Sequence, residues 1–167
     1  MNLWLRLFWL YLTRATRPAL KPTEESRIRL RLWLNDHDIY AHVNNGRYLT
    51  LMDLGRMDLI WRTGLIKAAT RYRWNPIVAA VSIVYKKPLV AGQSIELCTR
   101  IIGWDEKWFY IEQRFLRHGT LHAQAYVKGL FVGREGRVPT AQVLTALGHP
   151  SASPEVPPEV RSRVAEV

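Results

Sequence analysis

Hydrophobic and polar positions alternate with two different periods along this chain, and the change of period marks out its elements. In "RIRLRLWLND", Ile28, Leu30, Leu32 and Leu34 alternate with Arg27, Arg29, Arg31 and Trp33, which predicts a half-buried strand ending at Asn35. From Asn45 to about Thr63 the apolar residues recur at three and four: Tyr48, Leu51, Met52, Leu54 or Gly55, Met57, Leu59 and Ile60. This spacing predicts a helix of four or five turns, with Asn44 as its N-cap and Gly64 as its stop. Strands follow. "PIVAAVSIVYKKP" from Pro76 is a long apolar strand closed by Pro88, and "SIELCTRIIGW" sets Ile95, Leu97, Thr99 and Ile101 inward against Ser94, Glu96, Cys98 and Arg100. "WFYIEQRFLR" and "LHAQAYVKGLFVG" are two more strands, joined by a turn at "HGT". A short helix, "TAQVLTALG", starts at Thr140. One strand, one long helix and four strands with mostly short links predict an antiparallel sheet against a helix, an α+β domain.

The ends follow other rules. Residues 1 to 24 form an N-terminal segment, residues 25 to 148 the domain, and residues 149 to 167 a Pro-rich tail that reads as extended, closed by one short helical turn. "MNLWLRLFWLYL" at the start is apolar and aromatic but shorter than the ~20 residues of a spanning helix. It has no basic stretch before it and no small-residue cleavage site after it, so it is a poor signal peptide. On a helical wheel Asn2, Arg6, Thr13 and Arg17 share one narrow stripe, with Leu, Trp, Phe and Tyr elsewhere and Arg14, Arg17 and Lys21 following. Two readings stand: a helix lying in the interface of an anionic membrane through residues 1 to 14, or an aromatic face packed on the domain or on a second subunit.

Charge and cysteine content narrow the classes. Lys and Arg total 24 against 14 Asp and Glu, a net charge of +10, which favours anionic partners. No nucleic-acid motif accompanies the charge, and no nucleic acid is expected as partner. The lone cysteine, Cys98, excludes an intrachain disulfide and suits a reducing, cytoplasmic setting; it reads as a small sheet residue of the core.

The chemistry crowds into the junction "NDHDIYAHVNNGRYL", between the first strand and the long helix. The first N–H groups of a helix lack partners and carry a positive dipole, so they can polarise a carbonyl oxygen that gains negative charge. Asp38 lies just before that point, and a carboxylate there can activate water or attack directly. No G-x-S-x-G occurs, so the nucleophilic logic is carboxylate-based. Asp36, His37, Asp38 and His42 match no common zinc spacing, so no metal is expected. Asp53 and Arg56 have the spacing of a surface ion pair.

"DIYAHVNNGRYL", followed by "LMDLGRMDL", "LCTRIIGWDEKWFYIEQRF" and "AYVKGLF", resembles hotdog-fold acyl-CoA thioesterases of the 4-hydroxybenzoyl-CoA thioesterase type, in the branch that holds thioesterase superfamily member 6. The likeness covers roughly residues 27 to 147. It implies a hotdog fold, a long helix wrapped by an antiparallel sheet of about five strands. It implies an acyl-CoA substrate, no cofactor, and a homodimer joined sheet edge to sheet edge or a dimer of dimers. By position, Asp38 is the catalytic carboxylate, the backbone N–H at Asn45 polarises the thioester carbonyl, and His42 orders the catalytic loop. Asn44 and Tyr48 shape the pocket, while Val81 to Tyr85 of a partner line an acyl channel. Arg71, Arg73, Lys86 and Lys87 are the cations nearest in sequence for the CoA phosphates. Ala41 stands where the family frequently has Gly, and Leu54 where some thioesterases carry Glu. A non-catalytic acyl-thioester or lipid-binding scaffold of the same fold is the alternative function.

Overall fold

The computed structural model describes residues 3–149 and 152–165. Strands β1 (Ser26–Arg31), β2 (Asn75–Tyr85), β3 (Ser94–Trp104), β4 (Phe109–Arg117) and β5 (Thr120–Gly133) form one antiparallel sheet in the order β1-β3-β4-β5-β2. A short β6 (Gly136–Val138) pairs with the end of β5, a strand the sequence pattern did not reveal. Helix α2 (Asn45–Arg62) lies across the sheet, which curls around it. Asn44 caps α2 by accepting a 2.9 Å hydrogen bond from the Gly46 N–H, and the helix stops before Gly64 at a φ of 77°. A further helix, α3 (Leu65–Tyr72), fills the connection to β2.

The three-and-four spacing of α2 does what it predicts. Tyr48, Leu51, Met52, Leu54 and Leu59 are buried, the first four against Ile95, Leu97, Phe115 and Val127 of the sheet. Each such side chain contributes about 2 kcal/mol by leaving water. Leu59 continues the contact into a second cluster with Leu65, Trp74, Phe109 and Phe131. Cys98 is buried in β3, and burial pushes its thiol up to about 11, so it stays a neutral core thiol.

Helix and sheet meet most closely at Gly55. A Cβ there would lie 2.4 Å from Thr99 Oγ1 and 2.9 Å from Gln113 Nε2. Gln113 is fully buried, and its amide donates to the Met52 carbonyl and to Thr99 Oγ1, both at 2.9 Å, while its oxygen accepts from Arg56 at 2.8 Å. Gly55→Ala therefore crowds a fully hydrogen-bonded network. Although Ala favours helix by about 1 kcal/mol, the variant is expected to be less stable by roughly 1–3 kcal/mol in urea denaturation, because overpacking outweighs propensity.

Helix α1 (Leu3–Thr13) corrects one half of the second reading of the N-terminal segment, that its aromatic face packs on the domain. The polar stripe exists, but it faces the domain. Arg6 is buried and pairs with buried Asp36 at 2.5 Å, and Arg17, beyond the helix, pairs with buried Asp58 at 2.8 Å. Leu10 joins the core beside these pairs. The aromatic face, which one reading packed on the domain, points outward instead. The helix is seated on the domain through arginines matched to buried carboxylates, which leaves the indoles outside. Asn2, the fourth member of the stripe, lies outside the described residues.

The tail is also more than an extended strand of chain. After α4 (Thr140–Ala146), it returns across the outer face of the sheet. Ser153 Oγ accepts a 2.7 Å bond from the Trp104 N–H, and α5 (Pro158–Arg163) forms the expected short helical turn. Val156, Val160 and Val164 are buried against Tyr110 and Tyr126, where three evenly spaced valines supply an apolar stripe.

Candidate active site

Between β1 and α2 the chain makes a 3-10 turn (Leu34–Asp36) and then a tight loop. The loop is closed by an antiparallel bridge between His37 and Val43, and the Asp38 N–H donates to the His42 carbonyl at 2.9 Å. Ala41 takes a φ of 59°, the left-handed region that suits Gly. Ala41 thus takes a backbone conformation that glycine adopts freely, at a cost of about 1 kcal/mol.

The two aspartates of this stretch go opposite ways. Asp36 turns inward, where it has no solvent exposure and holds three parts of the molecule together. It accepts from Arg6 of α1, from Arg47 in the first turn of α2 at 2.8 Å, and from the Trp33 N–H at 2.8 Å. Its own carbonyl accepts from the Asn44 N–H at 3.0 Å, which ties it to the N-cap of α2. Burial alone would raise the Asp36 pKa; hydrogen bonds from Arg6, Trp33 and Arg47 outweigh burial and hold it below the ordinary carboxylate value.

Asp38 turns the other way and is half-buried on the wall of an open cleft of about 320 Å³. His42, Asn45, Tyr48, Tyr85, Lys86 and Lys87 line the same cleft, with Pro88 and Leu89 behind them. One Asp38 oxygen accepts from the Tyr40 N–H at 2.9 Å, which fixes the carboxylate on the loop. Asn45 is the first residue of α2, and its N–H has no acceptor among the described residues. Tyr48 stacks edge to face on Tyr85 at 5.0 Å and on Phe115 at 4.9 Å, and the Tyr85 hydroxyl donates to the Asn45 carbonyl at 3.3 Å. Burial, with Tyr85 nearby, raises the Tyr48 pKa to about 12, so its hydroxyl stays protonated. The cleft thus holds both a carboxylate and an unpaired helix N–H, the pair of groups a carbonyl gaining negative charge can use.

The structure therefore brings together Asp38, His42, Asn45, Tyr48, Tyr85, Lys86 and Lys87. Asn44 sits beside the cleft as the cap of α2 rather than on its wall. Val81 lies on the exposed β2 edge, outside the cleft. Arg71 and Arg73 stand exposed before the start of β2, whereas the cleft lies at the end of that strand. An 11-residue strand spans roughly 35 Å, so within one chain these two arginines do not reach the site. Asp53 pairs with Arg56 as its spacing predicts, and Leu54 is buried in the core, so α2 offers the cleft no carboxylate at Leu54. Among the described residues, no three His, Cys, Asp or Glu side chains converge as metal ligands.

Sequence reasoning missed two features. One is the role of Asp36, whose partner Arg6 lies 30 residues away and gives no local signal. The other is an apolar cavity of about 280 Å³ between the C-terminal half of α2 and the sheet, lined by Met57, Ile60, Ile77, Val78, Ile111 and Leu144. Residues from α2, α3, α4 and four strands meet there, and only their packing defines the space.

A long helix held in a curled antiparallel sheet defines a hotdog-fold protein. The thioesterase-like superfamily model matches residues 32–164, and the chain belongs to that superfamily. Among curated relatives, protein THEM6 of Danio rerio is 42% identical over 92 residues, covering 55% of this chain and 46% of its own. Protein THEM6 of Xenopus laevis is 32% identical over 129 residues, covering 75% of this chain and 60% of its own. The chain thus matches about half the length of these two relatives. Among solved structures, YbaW, a probable thioesterase from Escherichia coli, superposes with a TM-score of 0.66 at 20% identity, covering 74% of this chain and 95% of that one, and shows the shared fold.

Proposed function

We propose that this protein hydrolyses acyl-CoA thioesters of medium- or long-chain fatty acids to the free acid and CoA. The observation that carries the reading is the Asp38 carboxylate in an open cleft beside the unpaired Asn45 N–H. Water attacks the thioester carbonyl while Asp38 takes its proton, or Asp38 attacks first and the resulting anhydride is hydrolysed. In both routes the carbonyl oxygen gains negative charge at the start of α2. The C–S bond then breaks, and CoA leaves as a thiolate that is protonated from solvent. His42 holds the loop through its backbone carbonyl. Thiol release from a C4 to C18 acyl-CoA panel by wild type tests the reading; no release from any member refutes it.

A homodimer supports the same site. β2 is an edge strand, and Ile77, Val78, Val81, Val84 and Tyr85 on it are exposed. An uncovered apolar edge of this length calls for a partner strand. Antiparallel pairing of two β2 edges sets the start of one strand beside the end of the other. It carries Arg71, Arg73 and the mouth of the apolar cavity at Ile77 and Val78 toward the cleft of the second copy. The acyl chain would then run from the cleft of one copy into the cavity of the other.

Lys86 and Lys87 are exposed at the rim, and their backbone N–H groups are anchored on the His122 carbonyl at 2.8 and 3.0 Å. Their charges suit the CoA phosphates. Replacing both with Ala is expected to raise KM for acyl-CoA about tenfold at low salt, with kcat little changed, and to flatten the salt dependence of KM. An unchanged KM removes these lysines from the phosphate site.

The scaffold alternative rests on one observation: Leu54 is buried and Asp53 is engaged by Arg56, so Asp38 has no second carboxylate from these helix positions. Saturable acyl-CoA binding without thiol release is the result that favours it.

A further inference from the structure

Helix α1 is built inside out for a surface helix. Its charged stripe is buried and its aromatic stripe is bare. Trp4, Leu5, Phe8, Trp9 and Leu12 are 72%, 57%, 59%, 65% and 53% exposed, although all are large and apolar. A surface helix ordinarily turns such residues toward the core. Here the core side is taken by Arg6 and Leu10, and the helix is held by Arg6 on Asp36 and by Arg17 on Asp58, with Ser26 and Arg62 also on Asp58. These contacts hold the aromatic face in a fixed direction. Tyr11 is pinned edge to face on Trp61 at 5.7 Å, with the Arg14 guanidinium 3.3 Å over its ring.

The surroundings say what this face fits. Arg6 donates to the Arg31 carbonyl at 2.9 Å, so the end of β1 lies against α1. There Arg31 is exposed beside Trp33, and the following Leu34 is 83% exposed. Lys21 is exposed just beyond the helix. The chain as a whole carries +10. Tryptophans, Phe and Leu on one exposed helix face, in a chain with this excess of arginine and lysine, form the pattern that sinks into the headgroup region of a bilayer while cations meet lipid phosphates. No described helix is long and apolar enough to cross a membrane.

We propose that α1, clamped to the domain by its buried arginines, is a fixed platform that seats this protein on an anionic phospholipid bilayer through Trp4, Leu5, Phe8, Trp9 and Leu12. Binding needs no unfolding of the helix from the domain, because the face already points outward. The platform also meets the active-site loop through one residue, since the Asp36 that holds Arg6 bonds the N-cap of α2.

Flotation of the full chain with vesicles tests this. Wild type is expected to float with phosphatidylcholine–phosphatidylglycerol vesicles and at least tenfold less with pure phosphatidylcholine. Trp4→Glu with Phe8→Glu is expected to lose binding tenfold or more at unchanged melting temperature, since neither side chain has a hydrogen bond or ring contact to lose. Should that pair fail to fold, Leu12→Glu, one turn along the same face, serves instead. Wild type that stays unbound to anionic vesicles overturns the proposal, and so does a charged variant that floats equally well. Equal binding to neutral vesicles overturns the anionic requirement. Self-association that depends on Phe8, without vesicle binding, overturns it in favour of a second copy on this face. None of these outcomes touches thiol release by the cleft, so the two readings fail separately.

Discussion

Asp38→Asn is expected to lower kcat/KM for acyl-CoA by two to four orders of magnitude, about 3–5 kcal/mol of barrier, while the fold stays intact. The substitution keeps the shape of the side chain. Its carbonyl oxygen can still accept from the Tyr40 N–H, the 2.9 Å bond that sets the loop, so thermal denaturation is expected to match wild type closely. Only the charge is removed, and with it the capacity to take a proton from water or to attack a carbonyl. The loss falls on kcat rather than KM, because the role proposed for Asp38 is at the reacting carbon and not at the CoA phosphates. Steady-state thiol release from matched wild type and variant is the measurement, and retained turnover removes Asp38 from the chemistry. Mass spectrometry of a single turnover then separates the two carboxylate routes: an acyl group found on Asp38 marks the nucleophile, and its absence marks the base.

The second large effect belongs to the other aspartate. Asp36→Ala is expected to destabilise the protein by about 3–5 kcal/mol and to lower the melting temperature by roughly 10 °C. Asp36 and Arg6 are both buried, so removing the carboxylate strands the Arg6 guanidinium away from water. Arg47 and the Trp33 N–H lose an acceptor in the same step. Arg6→Ala is expected to cost less, because Asp36 keeps Arg47 and Trp33. The pH dependence follows from the depressed Asp36 value, set where burial is outweighed by hydrogen bonds from Arg6, Trp33 and Arg47. A carboxylate depressed by folding contributes its full stability above its unfolded pKa, roughly 4, and loses it as pH falls through the folded value. The gap between wild type and Asp36→Ala is therefore expected to be widest near neutrality and to shrink below about pH 4. Urea denaturation at a series of pH values reads this directly; a gap that stays constant denies the ion pair its role.

Local patterns carried much of this molecule. The three-and-four spacing from Tyr48 to Ile60 and the Asn44 cap both appear in α2 as written. The alternation in β3 buries Ile95, Leu97, Thr99 and Ile101 as written. "NDHDIYAHVNN" marked a candidate site because its polar residues abut a helix start, and Asp38, His42 and Asn45 line one cleft. What it could not show was direction. Asp36 and Asp38 look equivalent in the sequence, yet one is sealed in an ion pair and the other opens on the cleft. Arg71, Arg73, Lys86 and Lys87 were all candidates for the CoA phosphates, but a full strand separates the arginines from the lysines. The amphipathic reading of α1 found its stripe and could not tell which side met the domain.

The sequence did not show α3, β6, or that β2 pairs with β5 rather than with β3, to which a short link joins it; by itself it determined the long helix with its cap, the five main strands, the antiparallel β3-β4-β5 neighbours imposed by short links, and the polar stretch at the start of α2. Those depend on interactions between residues a few positions apart, whose periods and turn preferences are written locally. Only the tertiary structure decided which carboxylate is buried, which face of α1 is bare, and where the apolar cavity lies. Each of these is set by partners brought together across the chain, such as Arg6 with Asp36 and Arg17 with Asp58, and no local spacing encodes a contact of that range.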